Sequence, residues 1–303
     1  MSEKHSHTSA KKKHTCEITE RDYKLLRFLW RWKAASTMAL AKKFFPEWQP
    51  LSAYRRLIFL ENDGYIKTRE VEGRRHEVWV IGERGFKYIQ QKLGGLAQVG
   101  HKSENIYHDF ISTAFHLGEW MINQPDDTEN YSEQQLRRIS MDAWPEWVPK
   151  SEAHRPDGYS IYSTVSGTAT VAFETELWIK TRRRYESLVA FYDCQETIQF
   201  VFWLIDSKVT LNALKKSFEK FHIRYPDKHH FVLLSDFKEK GWMAPFIDGK
   251  YRGKTVADFL CPNPITVASL SRHCSDVLLL LNTRKKPINS NVTPIRKKPK
   301  TTD

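Results

Sequence analysis

The stretch His154–Tyr192 reads HRPDGYSIYSTVSGTATVAFETELWIKTRRRYESLVAFY, and its reading decides the fold. Two strands, Asp157–Ser163 and Thr168–Leu177, flank a tight turn, Thr164-Val165-Ser166-Gly167. A turn centred on Val165-Ser166 puts Asp157 opposite Glu174, and one centred on Ser166-Gly167 puts it opposite Glu176. Strand side chains alternate between faces, so Glu174 and Glu176 share one face. Either register gathers three carboxylates in one small area. Like charges opposed across a pair destabilise a sheet, and a divalent cation would compensate. Mg2+ or Mn2+ is the expected cofactor, because such ions combine one or two carboxylates with phosphate and water. An ion held there lowers the pKa of a bound water and stabilises a phosphoryl displacement. Asp157, Glu174 and Glu176 are therefore the candidate metal ligands, with Lys180 adding positive charge or positioning the water. The competing reading is an acidic hairpin paired with neighbouring arginines.

The helix predicted over 179–194 breaks a local rule. Its first turns carry Lys180, Arg182, Arg183 and Arg184, whereas the helix dipole favours acids there. A DNA phosphate at that end would satisfy both dipole and side chains. Tyr185 and Tyr192 share spacing with Leu188 and Val189, which fits a buried face; the alternative makes them nicking nucleophiles.

Outward from this stretch, the second unit is predicted to span 103–283. It opens on a helix over 103–122 carrying His108, a candidate metal-site or general-base residue with a structural role as its alternative. Glu104 and Glu119 share a stripe with His108, and Glu133 is a rival acidic position on a strand expected near Tyr131–Ile139. After the hairpin and the basic helix come an apolar strand, Ile198–Ile205, a helix over 209–222, a strand over 230–235 and a helix near 267–282. The order is that of a mixed α/β (α+β) core.

The first unit is predicted over 18–95. Thr19 with Asp22 forms a helix N-cap pair, followed by Tyr23, Leu26, Leu29 and Trp30 at helical spacing. Ser36 or Thr37 caps a second helix that stops at Pro46. Pro50 opens a third, with Tyr54, Leu57, Ile58 and Leu60 mostly on its buried side, and Asp63-Gly64 closes it. Two short strands, Tyr65–Val71 and His76–Ile81, form a hairpin, and Gly82 leads into a closing helix. Three helices and a hairpin are the order of a winged helix-turn-helix. Ser52, Arg55 and Arg56 lie on the polar side of the third helix, where a recognition helix meets the major groove. Arg74 and Arg75 sit at the hairpin tip, suited to phosphate or the minor groove.

Charge supports the division. The 303 residues carry a net +12. By segment, 1–95 is +9, 96–180 is −7 and 181–303 is +10. Basic flanks suit a polyanion, and an acidic middle suits a metal site better than it suits DNA coating. Residues 1–17 and 284–303 read as disordered basic tails, the second adding nonspecific DNA affinity. His5, His7, His14 and Cys16 in the first are an alternative metal group. Four scattered cysteines without a C-x-x-C pair fit a reducing cytoplasm. No apolar run is long enough for a membrane span, and no signal-peptide core precedes the first unit.

The residues Pro156-Asp157, then Glu174 after a hairpin, then a lysine, resemble the PD-(D/E)xK nuclease fold. The wider pattern of winged helix, histidine-bearing helix, R-P-D-G, F-E-x-E-L and K-x-x-x-R-Y is similar to the replication-relaxation family, which includes MobC-type plasmid mobilization relaxases. The likeness covers about residues 18–205. It implies a restriction-endonuclease-like core behind the winged helix. It also implies binding to double-stranded plasmid DNA at an origin of transfer or replication, a strand-specific nick, and mobilization or coupling proteins as partners. The departure is Glu176, which stands where the nuclease pattern has lysine; Lys180 then serves as a migrated lysine. The alternative is a noncatalytic origin-binding or regulatory protein with a degenerate nuclease core.

Overall fold

A computed structural model describes residues 17–47, 50–71, 77–118, 129–164 and 167–260. The chain folds as a mixed α/β protein in which a helical front with a two-stranded hairpin abuts a five-stranded mixed sheet. Among the described residues no helix is long and apolar enough to cross a membrane.

The front begins with α1 (Glu20–Trp32). Thr19 and Asp22 close a reciprocal capping box at its N-terminus, as their spacing predicts. Helix α2 (Thr37–Phe44) is capped by Ser36, whose hydroxyl accepts from the Ala39 amide at 3.1 Å. Helix α3 (Pro50–Asn62) buries Ala53, Leu57 and Leu60 in the core of the front, and Tyr54 is exposed rather than buried. Gly64 then turns the chain with φ +75°, a conformation that side chains with a Cβ rarely adopt. Strands β1 (Ile66–Glu70) and β2 (Glu77–Ile81) pair antiparallel, and α4 (Glu83–Gln90) packs back on α1.

Helix α5 (Ile106–Leu117), capped by Asn105, leads into the sheet. Its strands are β3 (Glu129–Ser132), β4 (Gly158–Thr164), β5 (Gly167–Glu176), β6 (Phe200–Ile205) and β7 (His229–Leu233), in that spatial order. The pairs β3–β4 and β4–β5 are antiparallel, while β5–β6 and β6–β7 are parallel. Parallel neighbours need crossovers, supplied by α7 (Arg182–Cys194) and α8 (Lys208–Phe221). These two helices cover one face with Tyr185, Leu188, Tyr192, Leu211 and Leu214 over Tyr159, Val201, Trp203 and Ile205. On the other face α5, α9 (Leu234–Lys240) and α10 (Val256–Leu260) pack over Val171, Phe173, Phe202 and Leu204. Strand β5 is central and its last eight residues are all buried, as expected where both faces are covered.

The strand expected near Tyr131–Ile139 ends at Ser132, and α6 (Glu133–Arg138) follows. Ser132 and Gln135 form a second capping box, a local signal that outcompetes the apolar alternation. The helix expected near 267–282, both tails, the hairpin tip with Arg74 and Arg75, and Glu119 lie outside the described residues. So do His5, His7, His14 and Cys16.

The two parts share a core. Ala34, Val71 and Val78 from the front join the cluster of α5 and the sheet. Leu117 of α5 joins the cluster of the front.

Candidate functional site

Strand β4 pairs with β5 through Gly158–Phe173, and the Asp157 amide donates to the Phe173 carbonyl at 3.1 Å. That register is the one of a turn centred on Val165-Ser166; the ladder ends at Gly158–Phe173, and Asp157, just before β4, bonds beside Phe173 and Thr175. Glu176 lies two residues further along β5, where the parallel strands end. Glycine is required inside this motif. A Cβ on Gly158 would stand 2.2 Å from His116 Cε1, because the buried imidazole packs flat on Phe173 beneath the strand.

The acidic hairpin is buried rather than solvated, and each carboxylate has its own basic partner. His154 Nε2 donates to Glu174 Oε1 at 2.5 Å, and the Tyr192 hydroxyl donates to the same oxygen. Burial opposes the charge on Glu174, but His154, Lys180 and Tyr192 together outweigh it and hold the pKa below its ordinary value. Lys180 Nζ pairs with Glu176 Oε1 one helical turn away in sequence. Burial nevertheless pushes Glu176 up to about 7, against the pull of Lys180. Asp157 Oδ2 accepts from the Thr175 amide at 2.7 Å and lies 3.7 Å from His108 Nε2. Burial raises Asp157 to about 6.

His108 projects from α5, donates through Nε2 to the Thr175 carbonyl at 3.0 Å, and has Asp109 Oδ1 3.9 Å from Nδ1. Burial disfavours its proton, yet the charge of Asp157 and the contacts to Asp109 and Thr175 raise it to about 9. The neighbouring acids thus favour the protonated imidazole. Neither Tyr185 nor Tyr192 reaches solvent. The Tyr192 phenol is pushed far up by burial and by Glu174, and the Tyr185 hydroxyl accepts from the Lys180 amide at 3.1 Å. Both serve the core around the site.

Mg2+ needs only one or two carboxylates when water and phosphate oxygens complete its shell. Asp157 and Glu176 fit that demand. Both are held up toward the neutral form, which a cation would reverse, and Glu176 Oε2 is buried without a hydrogen-bond partner. Glu174 is already engaged by His154 and Tyr192. Among the described residues no three His, Cys, Asp or Glu side chains form a metal-holding group, so the remaining ligands would have to come from substrate and water.

Beside this end of the sheet, Trp178, Ile179 and Arg182, Arg183 and Arg184 are exposed. Arg182 Nε pairs with Glu186 Oε1 at 2.9 Å. Thr181 provides no side-chain cap and the first turn of α7 holds no acid, so its dipole meets no negative side chain of its own. On α3, Ser52 and Arg55 are exposed. Arg56, expected on the same polar side, instead grips the fully buried Asp22 through Nε at 3.1 Å and Nη2 at 2.5 Å. That pair ties α3 to the start of α1. Glu104 sits on the surface paired with Arg137, away from the strand ends.

Three residues of the cluster escaped sequence reasoning. His154 stands beside the R-P-D-G motif, and that proximity was the available signal. Asp109 follows His108 directly and is buried. Lys33, at the end of α1, bonds Asp109 Oδ1 at 3.0 Å and Glu133 Oε2 at 2.5 Å, across 76 and 100 positions of sequence. No local pattern announces it.

Comparison with known proteins returns no match: no family model, no curated protein and no solved structure matches the chain.

Proposed function

We propose that this protein binds double-stranded DNA and breaks one phosphodiester bond of it, as a relaxase-like nickase of the replication-relaxation type. The observation that carries the reading is the gathering of Asp157, Glu174, Glu176 and Lys180 at one end of the β4–β5 pair, beside the exposed arginines of α7. The front is read as a winged helix whose third helix presents Ser52 and Arg55 to the major groove. Arg183 and Arg184, with the uncapped start of α7, would receive backbone phosphates and orient the scissile bond. An origin of transfer or replication on a plasmid is the expected site, reached in the cytoplasm with mobilization or coupling proteins as partners.

At the scissile phosphate, Lys180 would neutralise charge gathering on the phosphoryl oxygens. His108 would donate rather than accept, holding its proton at Nε2 toward Asp157 and the Thr175 carbonyl. Glu174 would orient the loop before β4 through His154. A bound Mg2+ or Mn2+ on Asp157 and Glu176 would supply a water of lowered pKa and charge neutralisation at the phosphate. The test is supercoiled plasmid bearing the cognate origin, incubated with Mg2+, Mn2+ or EDTA. Metal-dependent open circles that vanish in Asp157→Ala support the nickase.

A second reading has its own observation. His154, Lys180 and His108 each already lie against one of the three carboxylates. That pairing suits a noncatalytic origin-binding or regulatory protein on a degenerate nuclease core. Tight binding with no nick under any metal condition selects it.

A further inference from the structure

Lys33 has a backbone that a lysine should avoid. Its φ is +64°, a region where glycine is at ease and L side chains are strained. Yet the residue is only 7% exposed and its ammonium lies between two carboxylates, Asp109 of α5 and Glu133 of α6. A glycine there would relieve the backbone and lose that contact. The turn that carries it is clamped from the sheet side. Thr113 donates to the Trp32 carbonyl at 2.9 Å, Ser132 donates to the Arg31 carbonyl at 2.8 Å, and the Trp32 ring stands edge-on to His116 at 4.9 Å. Strain maintained by so many contacts marks a position that the fold over-determines, and such positions cluster at functional sites.

The contacts continue inward. A small cleft of about 20 Å³ is lined by Arg31, Lys33, Asp109, Glu133 and Asp157 among others. Asp109 Oδ1 is shared by Lys33 Nζ and, at 3.9 Å, by His108 Nδ1. His108 Nε2 stands 3.7 Å from Asp157 Oδ2. Lys33, Asp109, His108 and Asp157 thus form a continuous line of polar contacts that runs from the end of α1 to the start of β4.

We propose that Lys33 is a positioning residue of the Asp157 cluster, supplied by the helical front. It fixes Asp109, which fixes His108 against Asp157, so the cluster reaches its working geometry only with the front docked. The proposal rests on reading that cluster as the cleavage site. Without Lys33, Asp109 loses its ammonium partner, while Glu133 keeps Arg137 at 3.6 Å, and Asp109 is free to draw His108 away from Asp157.

Lys33→Met keeps the stem and removes the charge. With binding to supercoiled plasmid intact, its nicking kcat falls by about 10- to 100-fold at unchanged KM, and Lys33→Arg recovers part of the loss. In the DNA-free protein, the imidazole nitrogen-15 signal of His108, assigned with His108→Gln, shifts in Lys33→Met. Lys33→Gln, which also removes the ammonium but keeps a hydrogen-bond donor for the pair, shifts it in the same way and serves if Lys33→Met does not fold. A folded variant with an unmoved His108 signal, or Lys33→Met nicking at the wild-type rate, overturns the proposal. A wild-type protein that never nicks ends the cleavage reading alone; the imidazole signal then decides whether Lys33 sets the cluster.

Discussion

Asp157 stands just before the Gly158–Phe173 rung, yet it and Glu174 answer to different partners, His108 of α5 and His154 of the loop before β4. Each of the two carboxylates lies against a basic side chain of its own. Asp157→Asn preserves shape and removes the charge that His108 faces. Nicking of supercoiled plasmid is expected to fall at least about 100-fold, the scale of losing one fixed electrostatic group. Wild-type rates in a folded Asp157→Asn protein would remove Asp157 from the chemistry.

Glu176 and Lys180 make a charge balance that can be tested by double substitution. Lys180→Met leaves Glu176 buried without its cation and lowers stability by about 1–3 kcal/mol, reduced by the partial exposure of the lysine. Adding Glu176→Gln to Lys180→Met restores part of that loss, since the stranded charge is gone. Urea denaturation of the two single variants and the double variant reads the coupling; strict additivity would show that the pair does not interact.

Arg55 and Arg56 are neighbours in sequence with opposite expected behaviour. Arg56→Ala strands the fully buried Asp22 and costs about 3 kcal/mol, because breaking a buried pair leaves an uncompensated charge. Burial opposes that charge, but Arg56 and Thr19 hold Asp22 below its ordinary pKa. The stabilisation is therefore present above the unfolded carboxylate pKa and fades as pH falls through the folded value. Arg55→Ala leaves stability within about 0.5 kcal/mol but weakens DNA binding and lowers the salt dependence by about one counterion. Denaturation curves and binding isotherms at several salt concentrations separate the two arginines.

His230 lies in a box of aromatic rings, including Phe246 and Tyr251 each 5.1 Å away, and burial depresses it to about 4. An unfolded histidine takes up its proton near pH 6.5, so between about 6.5 and 4 the unfolded state binds the extra proton and stability falls with pH. His230→Phe removes that loss and should flatten the acid slope by up to about 1.4 kcal/mol per pH unit relative to wild type. Asp157 and Glu176, raised to about 6 and about 7, push the other way over part of this range, but they do so in both proteins and cancel in the comparison. Equal slopes would mean that His230 is protonated in the native state.

Gly158→Ala is expected to cost about 3 kcal/mol or more, since the new methyl meets a histidine that cannot retreat from Phe173. Thermal melting of Gly158→Ala checks it, and an unchanged midpoint would mean that His116 moves freely.

Most of the element order was legible because its signals are local. Thr19 with Asp22 and Ser36 mark helix starts, Gly64 marks a turn, and the apolar run at Phe200–Ile205 marks a strand buried on both faces. The misreading at Glu133 was local as well: Ser132 and Gln135 carry a capping box that the strand reading overlooked. The hairpin narrowed the opposition of Asp157 to two registers, since side-chain parity alone groups Glu174 with Glu176.

The sequence by itself determined which residues could carry chemistry, because residue type and strand parity are properties of short stretches. Only the tertiary structure decided their partners. His154 on Glu174, Arg56 on Asp22 and Lys33 between Asp109 and Glu133 are contacts across 20 to 100 positions, set by how helices dock on the sheet. Burial works the same way. The carboxylates that read as a solvated acidic hairpin or a metal cradle lie under α5 and α7, and that low-dielectric cover is what turned each charge toward a basic partner of its own.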